Sequence, residues 1–389
     1  MDEKKRKVGL LLAQGTNYGA LLQSYATQEC VRRLGFETVI INYKQSIRDL
    51  FRTEIEVFYH ILKSHIGKNN KKPIQVLDDL HKNNKQGRVI AQKKFLDERF
   101  LNRMFFSDYK SLCSFGETLS AVLVGSDQTW LPGALFGVTR SFRFVSNKVR
   151  RISYATSLGV SNYPRYCWRN ARKVWKSIDY LSVREEQGKK IIQQVCGNIP
   201  VSVVCDPTYL FTKEEWLELI PFERVEEERY VLCYFLGTDT KLFNVARNFA
   251  DNKGLKLISI LSCEVATEGD STFADRLVTG AEPKDFVNLI RGAEYVMTDS
   301  FHGTAFSVIN EKQFFLFYPQ RNYLKQSRNS RLDNIVKMWG VEDRLIQNKE
   351  IDWDNTTISP IDYSVVTKKV LAKRQESLDF IKKALTFND

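Results

Sequence analysis

Short apolar runs recur along this chain, and each one ends in a loop of polar residues and glycine. The first run is Val8 to Ala13, its loop is Gln14 to Gly19, and a segment with apolar residues at helical spacing leads to a second run at Thr38 to Ile41. A continuous apolar run is typical of a strand that is buried on both faces. The order strand, helix, strand therefore predicts a parallel sheet with helices on its faces.

The same pattern restarts after an acidic segment, Glu214 to Glu228, which we interpret as a hinge between two α/β domains. We predict a first domain over residues 1–215, a second over 216–362, and a terminal helix over 363–389 that packs back on the first domain. Residues 47–118 are rich in Lys, Asn and Gln and contain no convincing strand, so we predict a helical insertion there. The fold class is accordingly α/β.

The composition and net charge of the chain restrict the kinds of molecule that we expect it to bind. With 43% hydrophobic and 27% charged residues the 389-residue chain is a folded protein, and its formal net charge of +12 favours anionic ligands such as phosphorylated compounds. No nucleic-acid-binding motif accompanies this charge, so we expect no nucleic acid partner. Seven cysteines without a C-x-x-C pair indicate reduced thiols. No apolar run approaches the ~20 residues of a membrane-spanning helix. We therefore expect a cytoplasmic protein and leave open a peripheral contact with the membrane.

His302 is the residue best suited to proton transfer. It is one of four histidines, and it lies between a predicted strand and a predicted helix, in the segment Asp299 to Gly303. Ligands of open parallel sheets bind where strands end and helices begin, and an imidazole titrates near neutral pH. His302 is thus a candidate general acid or base. A capping or core histidine is the alternative.

Other polar residues follow predicted strands in the same way. Arg184 can hold a carboxylate or phosphate with two parallel hydrogen bonds, or form an ion pair with a neighbouring acid. Asp127 and Asp206 can orient a hydroxyl or His302, or serve only as turn residues. The loop Gly15 to Gly19 matches no nucleotide-binding motif. No histidine or cysteine spacing suits a metal, so we expect no metal and no cofactor.

Five segments together resemble the polysaccharide pyruvyl transferase family in order and spacing: Gly15 to Gln23, Gly125 to Trp130, Ser182 to Glu185, Asp206 to Thr208, and Asp299 to Gly303. The resemblance covers about residues 8–335. It implies two Rossmann-like domains that face each other across a cleft, as in the GT-B fold. It also implies transfer of a pyruvyl group from phosphoenolpyruvate to hydroxyls of a sugar, in a cell-surface polysaccharide or its lipid-linked precursor, to form a ketal.

The resemblance also assigns roles to residues. Arg184 would hold the anionic groups of the donor, and His302 would be the catalytic acid or base. Members of the family carry Arg-Leu-His where this chain has Ser300, Phe301 and His302, so one expected cation is missing, and Arg328 or Arg331 is our candidate replacement. The other substrate-binding residues that we predict from these motifs are Asn17, Gly19, Asp127, Gln128, Asp206, Ser300, Phe301 and Gly303.

Two rival functions remain open. A GT-B glycosyltransferase that uses a nucleotide sugar would share the architecture, although the acidic pair common in that class is absent between Leu255 and Tyr323. A protein that binds a glycan or an anion without catalysis is the second rival. The acceptor sugar, the hydroxyls modified and the oligomeric state are not determined by the sequence.

Overall fold

A computed structural model describes most of the chain: residues 6–15, 17–44, 78–132, 137–237, 239–262, 268–319, 329–347, 351, 353, 356 and 358–387. Among the predicted features, Arg328, Cys263 and residues 47–77 of the insertion lie outside these ranges.

The first domain contains a seven-stranded sheet in the order β3-β2-β1-β4-β5-β6-β7, and all its strand pairs are parallel. The four residues of β4 are all buried, as expected for a central strand covered on both faces. The strands are β1 Lys7–Leu11, β2 Glu37–Tyr43, β3 Arg103–Phe106, β4 Ala121–Val124, β5 Arg150–Thr156, β6 Tyr180–Val183 and β7 Ser202–Val203.

The second domain contains a six-stranded parallel sheet in the order β10-β9-β8-β11-β12-β13. Its strands are β8 Tyr230–Tyr234, β9 Lys256–Ile260, β10 Arg276–Val278, β11 Tyr295–Thr298, β12 Gln313–Phe317 and β13 Leu345–Ile346. Both sheets therefore have the strand order of doubly wound Rossmann-like folds. The predicted fold class, two Rossmann-like α/β domains, is confirmed.

The helices lie between the strands. They are α1 Tyr18–Arg33, α2 Asp78–Arg99, α3 Tyr109–Gly116, α4 Trp168–Trp175, α5 Glu186–Cys196, α6 Lys213–Leu219, α7 Lys241–Lys253, α8 Glu268–Thr272, α9 Pro283–Gly292, α10 Phe301–Ile309, α11 Ser330–Trp339 and α12 Tyr363–Leu385. None of the helices in the described ranges is long and apolar enough to cross a membrane.

Helix α1 is buried on all sides, from Tyr18 to Val31. Two of its polar residues bond other parts of the first domain: Ser24 donates to the carbonyl of Ala13 at 2.7 Å, and Gln28 bonds the backbone of Arg99 and Leu101 at 2.9 and 3.0 Å. At its start, the Tyr18 ring stacks on Phe286 of the second domain, with centroids 5.0 Å apart. The helix thus lies between the two domains and fixes the loop that precedes it.

The predicted insertion is not purely helical. Residues 78–118 form α2, β3 and α3, and β3 extends the first sheet by pairing with β2 in parallel. The absence of a strand in this segment was therefore a wrong prediction. Met104, inside the predicted helical insertion, lies in β3 and is 39% exposed, because an edge strand needs no continuous apolar run.

The predicted hinge is only partly irregular. Its first part is α6, closed by a capping box between Thr212 and Glu215, and residues 220–229 then lead into β8 without regular structure. The terminal helix α12 contacts both domains. Lys369 donates to the carbonyl of Trp339 at 3.4 Å, and further along Ser377 accepts a hydrogen bond from the backbone of Cys205 at 3.0 Å.

Candidate active site

The predicted motifs converge because of where they lie in the two sheets. In each sheet the strand order reverses between two central strands, β1 and β4 in the first and β8 and β11 in the second. Ligands of open α/β sheets bind in the crevice outside the carboxyl ends of such strands. The loops after β1, β4 and β11 carry three of the five sequence motifs, and the loops after β6 and β7 carry the other two.

Asp206 is the centre of the cluster. It is 1% exposed, and its Oδ2 accepts hydrogen bonds from Arg184 Nη1 at 2.7 Å and from Ser126 Oγ at 3.0 Å. Its Oδ1 accepts from the backbone N–H and the hydroxyl of Thr208, and Asp206 thereby caps a short 3-10 helix at Pro207–Leu210. Asp206 is therefore both a turn residue and an ion-pair partner of Arg184, and its predicted role in orienting a hydroxyl or His302 stays a prediction.

Arg184 is enclosed by carboxylates. Its side chain also lies 3.6 Å from Glu185 through Nε and 3.8 Å from Asp127 through Nη2, and the guanidinium covers the Phe301 ring at 4.0 Å. Burial lowers the pKa of Arg184, but the charges of Asp206, Glu185 and Asp127 outweigh burial and raise it. Because it is 1% exposed, the guanidinium is turned towards protein acids. The predicted role of Arg184 as a direct ligand of the donor stays a prediction.

His302 reaches the same cluster from the second domain. It is the second residue of α10, it is 6% exposed, and its Nε2 lies 3.7 Å from Asp206 Oδ2. Burial alone raises the pKa of Asp206, but the interaction with the imidazole and the charge of Arg184 outweigh burial and hold this pKa well below its usual value. Asp206 is thus ionised beside the imidazole at every physiological pH.

The start of α1 touches the imidazole. Asn17 caps this helix by accepting a hydrogen bond from the backbone of Gly19 at 2.9 Å. A Cβ atom on Gly19 would lie 2.1 Å from Cγ of His302, so only glycine permits this approach. The N-terminal ends of α1 and α10 therefore meet at His302.

The remaining predicted residues have local roles that the structure makes visible. Ser300 caps α10 by accepting from the backbone of Gly303 at 3.3 Å, and Gly303 packs so closely on β11 that a Cβ atom would lie 2.5 Å from Thr298 Oγ1. Gln128 lies half-buried beside Gly159.

Arg331 lies in α11, one turn before Asn334, whose side chain donates to the carbonyl of Arg184 at 3.4 Å. The backbone N–H of Glu186 in turn donates to the amide oxygen of Asn334, also at 3.4 Å. Helix α11 of the second domain thus contacts the strand end that carries Arg184, and it places Arg331 at this side of the cluster.

A comparison with models of protein families shows which family the chain belongs to. The model of the polysaccharide pyruvyl transferase family matches residues 17–321, which include Arg184, Asp206 and His302. The chain belongs to the polysaccharide pyruvyl transferase family. The resemblance stated from the five motifs is confirmed.

Similar solved structures have low sequence identity to this pyruvyl transferase family member. UDP-GlcNAc 2-epimerase from Neisseria meningitidis is 12% identical with a TM-score of 0.45, covering 98% of this chain and 95% of its own. MurG from Acinetobacter baumannii is 8% identical with a TM-score of 0.46, covering 97% and 98%. UGT89C1 from Arabidopsis thaliana is 9% identical with a TM-score of 0.45, covering 98% and 93%. The search of curated proteins gave no match.

Several polar atoms of the cluster are buried without a hydrogen-bond partner in the described part of the chain. They are Nε2 of His302, Nε and Nη2 of Arg184, and Oε2 of Glu185. The Arg184 and Glu185 atoms face carboxylate or guanidinium partners at 3.6–3.8 Å, just beyond hydrogen-bond distance, and His302 Nε2 lies 3.7 Å from Asp206. In this member of the pyruvyl transferase family, the cluster lies between the two domains.

Sequence reasoning missed two members of the cluster as site residues, Ser126 and Glu185. Both stand next to a predicted residue, so their position directly after a strand was an available signal. It predicted a helical segment where α2 lies, but not that Arg88 of α2 covers the Tyr18 ring at 3.9 Å and donates to the carbonyl of Leu261 in the other domain at 2.7 Å. No local pattern in a lysine-rich and asparagine-rich helix indicates such a contact with the other domain.

Proposed function

We propose that this protein transfers a pyruvyl group from phosphoenolpyruvate to two hydroxyls of a sugar, in a cell-surface polysaccharide or its lipid-linked precursor, and forms a ketal. The observation that carries the proposal is the buried imidazole of His302. Its Nε2 has no hydrogen-bond partner among the described residues, lies 3.7 Å from ionised Asp206, and sits where two helices begin. A histidine held in this way is suited to exchange a proton with a substrate.

The reaction needs few groups. A proton added to C3 of phosphoenolpyruvate gives C2 the character of an oxocarbenium ion, and a sugar hydroxyl attacks C2 and loses its proton. Phosphate then leaves with the C2–O bond electrons, and a second hydroxyl attacks C2 and loses its proton to close the ketal. One of the two released protons balances the proton taken up by C3, and the other leaves with phosphate. We assign to His302 the proton exchange with the substrate, and to Asp206 the stabilisation of the charged imidazole.

The donor's negative charges need partners other than Arg184. One guanidinium and three carboxylates give Arg184, Asp206, Glu185 and Asp127 together a formal net charge of −2, which repels an anion. We therefore treat Arg184 as a positioning residue that holds Asp206 towards His302. The positive ends of the α1 and α10 dipoles favour anions, and Arg331 of α11 is the cation that we assign to the donor.

The placement of α2 disfavours the nucleotide-sugar alternative. In Rossmann-like folds the ribose of a nucleotide bonds near the end of the second strand of the sheet, here β9. Asn84 of α2 donates to the carbonyl of Ser262 after β9 at 2.8 Å and accepts from the backbone of Gly280 after β10 at 2.9 Å. The edge of the sheet that would receive a nucleotide is thus already bonded to protein.

The test is phosphate release from phosphoenolpyruvate with a panel of aryl and lipid-linked glycosides. We expect acceptor-dependent release by the wild type and a fall of about 10²–10⁴-fold in kcat for His302→Gln, the range typical of a lost general acid or base. His81→Gln is the matched control, because His81 lies on α2 outside the cluster. Equal rates for both variants would overturn the role of His302. No release with any glycoside, together with binding of nucleotide sugars, would replace pyruvyl transfer by the glycosyltransferase alternative.

A further inference from the structure

A second cavity lies at the same edge of the first sheet, at the carboxyl ends of β1, β2 and β3. Its volume is about 700 Å³, within the range of small-molecule sites. Its described lining contains the aromatic rings of Tyr43 and Phe106 and the cations Lys44 and Arg140. No carboxylate is among these described lining residues, so the cavity carries a positive charge where the cluster around Arg184 carries a negative one.

The polar groups of this cavity are available to a ligand. Lys44 and Arg140 both keep exposed surface, and neither has an ion pair with another described residue. The guanidinium of Arg140 is nevertheless partly enclosed by protein, and this burial lowers the pKa of Arg140. The amide Nδ2 of Asn42 is buried and has no acceptor in the described part of the chain. A buried donor without an acceptor costs free energy unless a ligand or water supplies one. Two cations therefore line the same space as two aromatic rings, whereas the buried Asn42 amide has no surface exposed to it.

The cavity is joined to the cluster by one short loop. Thr129 lines the cavity, and its hydroxyl donates to the carbonyl of Ser126 at 2.8 Å. Ser126 in turn donates to Asp206 at 3.0 Å. Three residues of extended chain span at most about 11 Å, so Thr129 of the cavity lining and Ser126 of the cluster lie within that distance of each other. The cavity therefore adjoins the segment that bonds Asp206.

We propose that this cavity is the acceptor subsite and that it takes a sugar that carries a phosphate or diphosphate group. This inference rests on the pyruvyl transfer proposed above. The phosphate lies between Lys44 and Arg140, and the sugar ring packs on Tyr43 and Phe106, since aromatic rings offer an apolar face to a ring while cations pair with phosphate oxygens. In this proposal the cavity is one place where positive charge of the chain binds an anionic ligand, and the sequence alone did not predict its position.

The experiment compares neutral and phosphorylated acceptors. We expect hexose 1-phosphates to have a KM about tenfold lower than the matching 4-nitrophenyl hexosides, and this preference to weaken at high ionic strength because exposed cations are screened. Arg140→Gln and Lys44→Gln should each raise the KM for the hexose 1-phosphate by a larger factor than the KM for phosphoenolpyruvate. Lys148→Gln is the control, since Lys148 is exposed and lies outside the cavity lining.

Titration calorimetry without phosphoenolpyruvate separates this proposal from the proposed function. Hexose 1-phosphate that binds the wild type about tenfold more tightly than Arg140→Gln supports the subsite, even where no acceptor leads to phosphate release. Inorganic phosphate that binds as tightly as hexose 1-phosphate would overturn it, because the sugar would then add nothing. Pyruvyl transfer to neutral hexosides without any preference for phosphate would overturn the subsite and leave the transferase intact. A larger KM change for phosphoenolpyruvate than for the acceptor would also overturn it.

Discussion

The carboxyl edge of the first sheet holds two sites of opposite character. The cluster around Asp206 is buried and its charged side chains are ion-paired, with a formal excess of carboxylates. The cavity at β1 to β3 is open, and its described lining has two cations without acids. A buried ion pair holds its geometry because breaking it leaves a charge without compensation, whereas an exposed cation is free to bind a ligand. In our proposal the buried cluster therefore positions a proton-transfer group, whereas the open cavity binds the acceptor.

The largest effect should follow from breaking the ion pair at the centre of the cluster. Asp206→Asn leaves the buried Arg184 without its 2.7 Å partner, and we expect the free energy of unfolding to fall by about 3–5 kcal/mol. Urea unfolding followed by tryptophan fluorescence measures this change. The matched control is Asp97→Asn, which removes an exposed pair with Arg103 at 2.8 Å and should cost at most about 1 kcal/mol.

The loss of unfolding free energy caused by Asp206→Asn should depend on pH. The pKa of Asp206 is lower in the folded protein than in the unfolded chain, so the ionised carboxylate stabilises the fold fully above the unfolded value near 3.8. That stabilisation is lost as the pH falls towards the folded pKa. The difference between wild type and Asp206→Asn should therefore be constant from pH 7 to about pH 5 and shrink below about pH 4. A difference as small as that of Asp97→Asn at pH 7 would contradict the contrast between the two sites.

A smaller effect is expected from Gly19→Ala, which tests whether the cluster depends on the position of His302. The added Cβ atom would lie 2.1 Å from the imidazole, so the ring must move, and a displacement of about 1 Å at a catalytic group costs about 10²-fold in kcat. Gly15→Ala is the control, because a Cβ atom there meets nothing within 4 Å. Binding of hexose 1-phosphate at the cavity should be retained. Equal kcat values for the two variants would mean that the approach of α1 does not position His302.

The smallest effect concerns the loop that joins the two sites. Thr129→Val removes a hydroxyl that donates to the carbonyl of Ser126 at 2.8 Å, and the expected change is about 1 kcal/mol, or roughly fivefold, in kcat/KM. Thr118→Val is the control, since it removes a comparable 2.7 Å bond to Phe115 far from either site. Because Thr129 touches both sites, we expect kcat and the acceptor KM to change together. A change in only one of them would show that the loop belongs to that site alone.

The sequence predicted the central strands better than the edges of the sheets. The runs ending at Ala13, Val124 and Val183 lie in strands with neighbours on both sides, and burial on both faces requires continuous apolar residues. The strands that the sequence missed, β3, β10 and β13, are all at edges. An edge strand pairs on one side and is often short, so it leaves a weaker pattern. Helix α11 was missed as well, and it supplies Asn334 to the cluster.

The sequence predicted which residues belong to the site better than it predicted what each of them does. His302, Arg184 and Asp206 come together as expected, because each follows a central or neighbouring strand of a parallel sheet. The sequence left open whether Arg184 pairs with protein acids or with a ligand, and the structure shows ion pairs with protein acids. That choice depends on Asp206 and Asp127, which lie in other loops, and their distance from Arg184 is a property of the packed sheet.

The sequence by itself determined the α/β class, the family and the loops after strands that carry polar side chains. The spacing of buried apolar residues and the short motifs are local properties of the chain. Tertiary structure decided which charges meet. In the folded protein three carboxylates surround Arg184, and Gly19 contacts His302. Helix α2 bonds the segments that follow β9 and β10. Lys44 and Arg140 line a cavity whose described lining has no acidic residue. Electrostatic interactions act between residues far apart in the chain, and only the folded sheets fix their distances.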